Sequence, residues 1–144
     1  MTDLVLGVDP GKTGALAVWS PVLGLVDVHD MPAASGAALG SLVRELLEDY
    51  EPDRFRLAVV EDVHAMPKQG VTSVWSFSAC HNAVLGALGA LGVPVELVSP
   101  AKWKRSMGLS MVLVFSRVAK FAFLVALYSK VFKSSSSISF PSFL

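Results

Sequence analysis

What this chain lacks already narrows its function. A single cysteine, Cys80, in 144 residues excludes an internal disulfide and any cysteine-based zinc cage, and suits a reducing, cytoplasmic setting. No basic stretch opens the chain at Met1-Thr2-Asp3-Leu4, so it does not begin as a secretory signal. Charge is sparse at 17% against 53% hydrophobic residues, with a mean hydropathy of +0.57; disorder is excluded, and the chain is more apolar than a small globular protein needs. The most telling absence is acidic. All twelve Asp and Glu lie between residues 3 and 96, alongside five bases, and the remaining seven bases have no acid among them. A formal charge of zero therefore hides a net −7 followed by a net +7, a segregation that flags a nucleic-acid or membrane surface or an abnormal tail.

At 144 residues one core is expected. Leu4-Val5-Leu6-Gly7-Val8-Asp9 is a short apolar run stopped by Pro10-Gly11, the pattern of a buried strand. Residues 14–19 and 25–28 repeat it at hairpin spacing, with Pro21 and Gly24 between them, giving three antiparallel strands. The period then changes. Leu39, Leu42, Val43, Leu46 and Leu47 recur at steps of three and four opposite Arg44, Glu45, Glu48 and Asp49, which predicts an amphipathic helix over 35–50. A strand over 57–60, a helix over 72–91 stopped by Gly92-Val93-Pro94, and a strand over 95–98 follow. Ser99-Pro100 reads as an N-cap with proline at the first helical position. The order βββαβαβα predicts an α/β fold, a mixed five-stranded sheet with three antiparallel strands and then crossovers, as in the ribonuclease H-like fold.

In such a sheet ligands bind beyond the carboxyl ends of the strands, and two strands end in acids there. Asp9 closes the first, inside a glycine-rich turn that lets a phosphate approach the backbone; the bland alternative is an aspartate that merely caps the turn. Glu61 closes the fourth, and alternation sends Glu61 and Asp62 to opposite faces, so Glu61 is the one expected to join Asp9. Two carboxylates on neighbouring strands form a hard, oxygen-only site suited to Mg²⁺, or Mn²⁺ in its place, and not to zinc. A two-metal phosphodiester site usually draws on three or four carboxylates, with ions roughly 3.5–4 Å apart; two are visible.

Three linked blocks carry a family resemblance. Val8-Asp9-Pro10-Gly11-Lys12-Thr13-Gly14-Ala15, then Val60-Glu61-Asp62-Val63-His64-Ala65-Met66-Pro67-Lys68-Gln69-Gly70-Val71-Thr72-Ser73, then Pro94-Val95-Glu96-Leu97-Val98-Ser99-Pro100-Ala101-Lys102-Trp103-Lys104 resemble the RuvC-type Holliday junction resolvases and their phage-like relatives. The likeness covers residues 1–110, in order. It implies a homodimeric, Mg²⁺-dependent endodeoxyribonuclease that nicks four-way DNA junctions symmetrically in recombination or repair, with Asp9 and Glu61 as its first two metal-binding carboxylates. The departure lies at the end. The family's last helix carries one or two further catalytic acids, whereas residues 111–144 contain none, and 17 of the 23 residues over 111–133 are apolar. The chain thus divides into a nuclease-like core over 1–110 and an atypical basic, apolar tail over 111–144 that stands where the last helix would. The longest uninterrupted apolar run in it, residues 121–128, has eight residues, far short of the 18 or so needed to span a membrane.

Lys12, Lys68, Lys102, Lys104 and Arg105 flank the motif loops and can reach phosphates, although a solvated surface charge is the ordinary reading of any one of them. Trp75 and Phe77 stand two apart, the spacing of a strand or irregular turn; core packing is their ordinary reading, with exposure of one for base stacking as the functional alternative. His64 lies near where the family places a residue at the junction centre. A second reading is a catalytically impaired junction binder that lacks the C-terminal acids. A third, an ATP-cradling domain of the sugar kinase and actin type, shares the first-strand motif but needs a much longer chain.

Overall fold

The computed structural model describes residues 3–11, 14–20, 22–32, 36–50, 55–62, 64 and 70–106, with the backbone alone at 36, 103, 104 and 106. Its elements are β1 (Leu4–Asp9), β2 (Ala15–Ser20), β3 (Gly24–Asp30), α1 (Gly36–Asp49), β4 (Phe55–Glu61), α2 (Val71–Ala90), β5 (Val95–Val98) and α3 (Pro100–Ser106). They form the α/β arrangement expected, one sheet in the order β3-β2-β1-β4-β5. The pairs β1–β2 and β2–β3 are antiparallel, and β1–β4 and β4–β5 are parallel. The lysines at 12 and 68 and the tail over 111–144 lie outside the described residues. Among those described, no helix is long and apolar enough to cross a membrane.

The core follows from the alternation of the central strands. Leu4, Leu6 and Val8 of β1, Leu16 and Val18 of β2, and Ala58 and Val60 of β4 share one face and pack with Leu39, Val43, Leu46 and Leu47 of α1 and Val84 and Leu88 of α2. β1 is buried along its whole length, because it has a strand on either side and apolar residues on both faces. β3, at the sheet edge, leaves Leu25, Val26 and Val28 exposed.

The turns explain the element ends. Ser20 is fully buried, and its hydroxyl accepts the amides of Val22 and Leu23, each at 3.2 Å, while Gly24 takes φ +79° to close the hairpin. Past α2 the amide of Val93 donates to the carbonyl of Leu88 (3.0 Å) and that of Gly92 to Gly89 (3.2 Å), with Gly92 at φ +72°. This left-handed closure needs glycine, and it turns Val93 back into the core beside Leu88.

One polar link ties the edge strand to α1. Asp27 Oδ2 accepts the hydroxyl of Tyr50 (3.1 Å) and faces His29 Nε2 (3.0 Å), while its Oδ1 accepts the amide of Val28 (2.7 Å). The Val28 amide, with His29 and Tyr50 behind it, holds the Asp27 carboxyl below its ordinary 3.8, against a smaller opposing effect of burial. Burial, and then the Asp27 carboxylate, push the Tyr50 phenol above its ordinary 10.0. A depressed carboxyl contributes stability above its unfolded pKa and loses it as pH falls through the folded value; a raised phenol contributes below its unfolded pKa and loses it as pH rises. In the urea midpoint, the parent is expected to fall above about pH 10 and Tyr50→Phe to lose much of that fall while keeping most of the acid fall, because the Val28 amide dominates at Asp27. An unaltered alkaline limb would refute the link.

Candidate metal and phosphate site at the carboxyl ends of β1 and β4

Asp9 ends β1 and is 7% exposed. Its Oδ1 accepts the amide of Gly11 at 3.2 Å, and the loop is pinned by the Gly14 amide on the Gly11 carbonyl (2.8 Å) and the Met31 amide on the Gly14 carbonyl (2.9 Å). Gly14 is obligatory. A Cβ there would stand 2.0 Å from the carbonyl oxygen of Asp9 and 2.8 Å from that of Gly11, both backbone atoms. At Gly11 the closest atom to such a Cβ is Asp9 Oδ1 at 3.4 Å, an ordinary contact.

The registers place the acids in a row. Val8 pairs with Val60, and Glu61 follows Val60 as Asp9 follows Val8, so the two acids stand on one face of adjacent strands whose backbones run about 4.8 Å apart. Asp9 also pairs with Ala15, and Ala15 with Asp30, which puts Asp30 on the same face two strands away, about 10 Å from Asp9. Nothing in the local sequence around Asp30 signals this, because it depends on the shift between Val18 and Trp19 in the β2–β3 pairing. Asp62 leaves the row as expected. Its amide donates to the Val98 carbonyl (2.9 Å), and its carboxylate lies 3.3 Å from His64 Nε2. His64 is 78% exposed and stands at the mouth, three residues past Glu61.

Among the described residues no three His, Cys, Asp or Glu side chains gather into a cation cage. Asp9 and Glu61 nevertheless fit one Mg²⁺, an ion commonly held by one or two carboxylates with water and substrate phosphate completing its shell. Among the described residues, the second ion of a two-metal site finds no third acid beside them.

Of the candidate cations, Lys102 and Arg105 are described and exposed. Ser99 caps α3 as predicted, its hydroxyl accepting the Lys102 amide at 3.4 Å. Lys102 Nζ lies 3.7 Å from Glu96 Oε1, and Glu96 pairs with Val59, on the same sheet face as Asp9. The helical backbone of α3 includes residues 103 and 104, whose side chains lie outside the description. Trp75 corrects one expectation. It and Phe77 lie on α2, within the helix predicted over 72–91 and not in the strand or irregular turn that their spacing alone suggests, and a two-residue step on a helix is about 200°, so Phe77 is half-buried while Trp75 is 76% exposed. Trp75 is thus not a core residue. The same first turns of α2 border a cleft of about 360 Å³ lined by Thr72, Ser73, Ser76 and Phe77.

No protein-family model and no curated protein matches the chain. Solved structures do resemble it. Thermus thermophilus RuvC in complex with Holliday junction substrate superposes with a TM-score of 0.69 at 20% identity, over 93% of this chain and 97% of that one. A second Thermus thermophilus RuvC structure gives 0.62 at 18%, over 92% and 97%. The chain has the RuvC-like fold. In that RuvC-like frame, the ribonuclease H-like mixed sheet read from the sequence is the sheet observed, and Asp9 and Glu61 sit where its strands end.

Proposed function

We propose that this protein binds four-way DNA junctions and hydrolyses phosphodiesters in them as a Mg²⁺-dependent endonuclease, acting as a cytoplasmic homodimer in recombination, repair or phage DNA processing. The observation that carries this reading is the juxtaposition of Asp9 and Glu61 on adjacent strands of a RuvC-like sheet. Asp9 and Glu61 hold the metal, with Mn²⁺ as a substitute; when bound, it supplies Lewis-acid polarisation of the phosphate and a water of lowered pKa. The Gly11 amide orients Asp9. Lys102 and Arg105, with Lys12, Lys68 and Lys104, hold phosphates, a contribution that weakens as salt rises. The exposed indole of Trp75 stacks on an unpaired base, and His64, beside Glu61, contacts the junction centre.

A second reading has its own observation in favour. No third acid joins Asp9 and Glu61 among the described residues, and none follows Glu96 in the sequence, which suits a binder that keeps the fold without cleaving. One experiment separates the two. The full-length protein is mixed with a labelled synthetic four-way junction and with a linear duplex of the same sequence, with and without Mg²⁺. Paired nicks in the junction alone, dependent on Mg²⁺, establish the enzyme; salt-sensitive retention of the junction without nicks establishes the binder. Equal affinity for both DNAs would overturn both readings.

A further inference from the structure

Asp62 is the acid at the end of β4 that the metal row does not use. Alternation turns it away from Asp9 and Glu61, and its backbone is fixed: its amide donates to the carbonyl of Val98 at 2.9 Å, one residue beyond the Glu61–Val98 pair. Val98 is fully buried. The carboxylate is thus carried on the sheet itself, at 27% exposure.

His64, two residues later, is 78% exposed, and a side chain in that position keeps its rotational freedom unless something holds it. Asp62 Oδ2 lies 3.3 Å from its Nε2. An ionised carboxylate only accepts, so the nitrogen that faces it is the one carrying hydrogen. A contact at a ring nitrogen occupies the edge of the imidazole, whereas a nucleobase stacks on the face. The two interactions do not compete for the same part of the ring. We propose that Asp62 is a positioning residue, which holds the His64 imidazole by its edge at the mouth beside Glu61 so that the ring meets an unpaired base at the junction centre already ordered. This rests on the junction-binding reading above and gives Asp62 a task outside metal binding. A ring fixed in advance does not lose its freedom on association, and that is the source of the gain in affinity.

A double-mutant cycle on the full-length protein tests this. Affinities for a labelled four-way junction and for a linear duplex are measured by fluorescence anisotropy in EDTA, where no nicking intervenes, for the parent, Asp62→Ala, Asp62→Asn, His64→Ala and the double variant Asp62→Ala with His64→Ala. His64→Ala is expected to weaken junction binding about tenfold, the loss of one stacked base. Asp62→Ala is expected to weaken it about threefold, the size of an exposed ion pair, and to weaken it no further once His64 is alanine. Asp62→Asn keeps an oxygen to accept the Nε2 hydrogen and is expected to bind as the parent does. A threefold loss from Asp62→Ala in both backgrounds would assign Asp62 a purely structural part and overturn the proposal. So would tighter binding without the carboxylate, or an Asp62→Asn as weak as Asp62→Ala. His64→Ala removes an exposed ring and leaves the sheet intact, so parent-strength binding by that variant overturns the proposal even where Asp62→Ala fails to fold. A parent that binds junction and duplex alike removes the junction reading itself, and this inference with it, before any variant is compared.

Discussion

Replacing Gly14 with alanine is expected to lower the unfolding temperature by roughly 6–12 °C, whereas Gly11→Ala in the same loop moves it by no more than a degree or two. The added carbon at Gly14 would lie 2.0 Å from the Asp9 carbonyl oxygen, and no rotamer change relieves a clash with backbone. The loop must open, and it loses the Gly14–Gly11 hydrogen bond and the Met31–Gly14 bond that ties it to the end of β3. Overpacking of this kind costs about 3 kcal/mol, and each kcal/mol shifts the midpoint of a domain near 150 residues by roughly 2–4 °C. The 3.4 Å approach at Gly11 demands no such movement. Thermal unfolding of the two variants side by side decides the matter; equal midpoints would show that the loop is not closed as described.

Asp9→Asn is expected to leave folding and junction affinity close to the parent and to slow Mg²⁺-dependent nicking by about 10³-fold. The substituted amide keeps an oxygen for the Gly11 N–H, so the loop geometry survives, but the negative charge that would hold the cation is gone. Metal assistance contributes several kcal/mol of transition-state stabilisation, and each 1.36 kcal/mol is tenfold in rate. Glu61→Gln, on the neighbouring strand, should behave alike. The pairing of retained binding with lost cleavage is the diagnostic; nicking by Asp9→Asn at the parent rate would remove Asp9 from the metal site.

The parts of this molecule legible in its sequence are those where local chemistry and tertiary demand agree. β1 and β5 show as apolar runs because they are short, lack competing helical periodicity and stop at Pro10-Gly11 and Ser99-Pro100. β4 begins at Phe55, two residues before its apolar run suggests, because Arg56 alternates outward and pairs with Asp3 at 3.0 Å. Trp75 was harder to place. Its spacing from Phe77 suits a strand, although the helix predicted over 72–91 contains both, and a helix of that length puts the two on opposite sides. Asp30 was not legible as a member of the acid row, since two antiparallel registers and one irregularity intervene between it and Asp9. The side of the sheet that α1 and α2 take was equally hidden, because the central strands are apolar on both faces.

The parallel pairing of β1 with β4 also orders events in time. β1, β2 and β3 join through short local turns, whereas Val8 reaches Val60 only after the intervening chain, with α1 in it, has closed on itself. Non-local parallel pairing is slow because the loop's entropy is lost before its contacts form. The two carboxylates therefore stay apart until that loop closes, so an ion held between them would report the docking of β4 on β1.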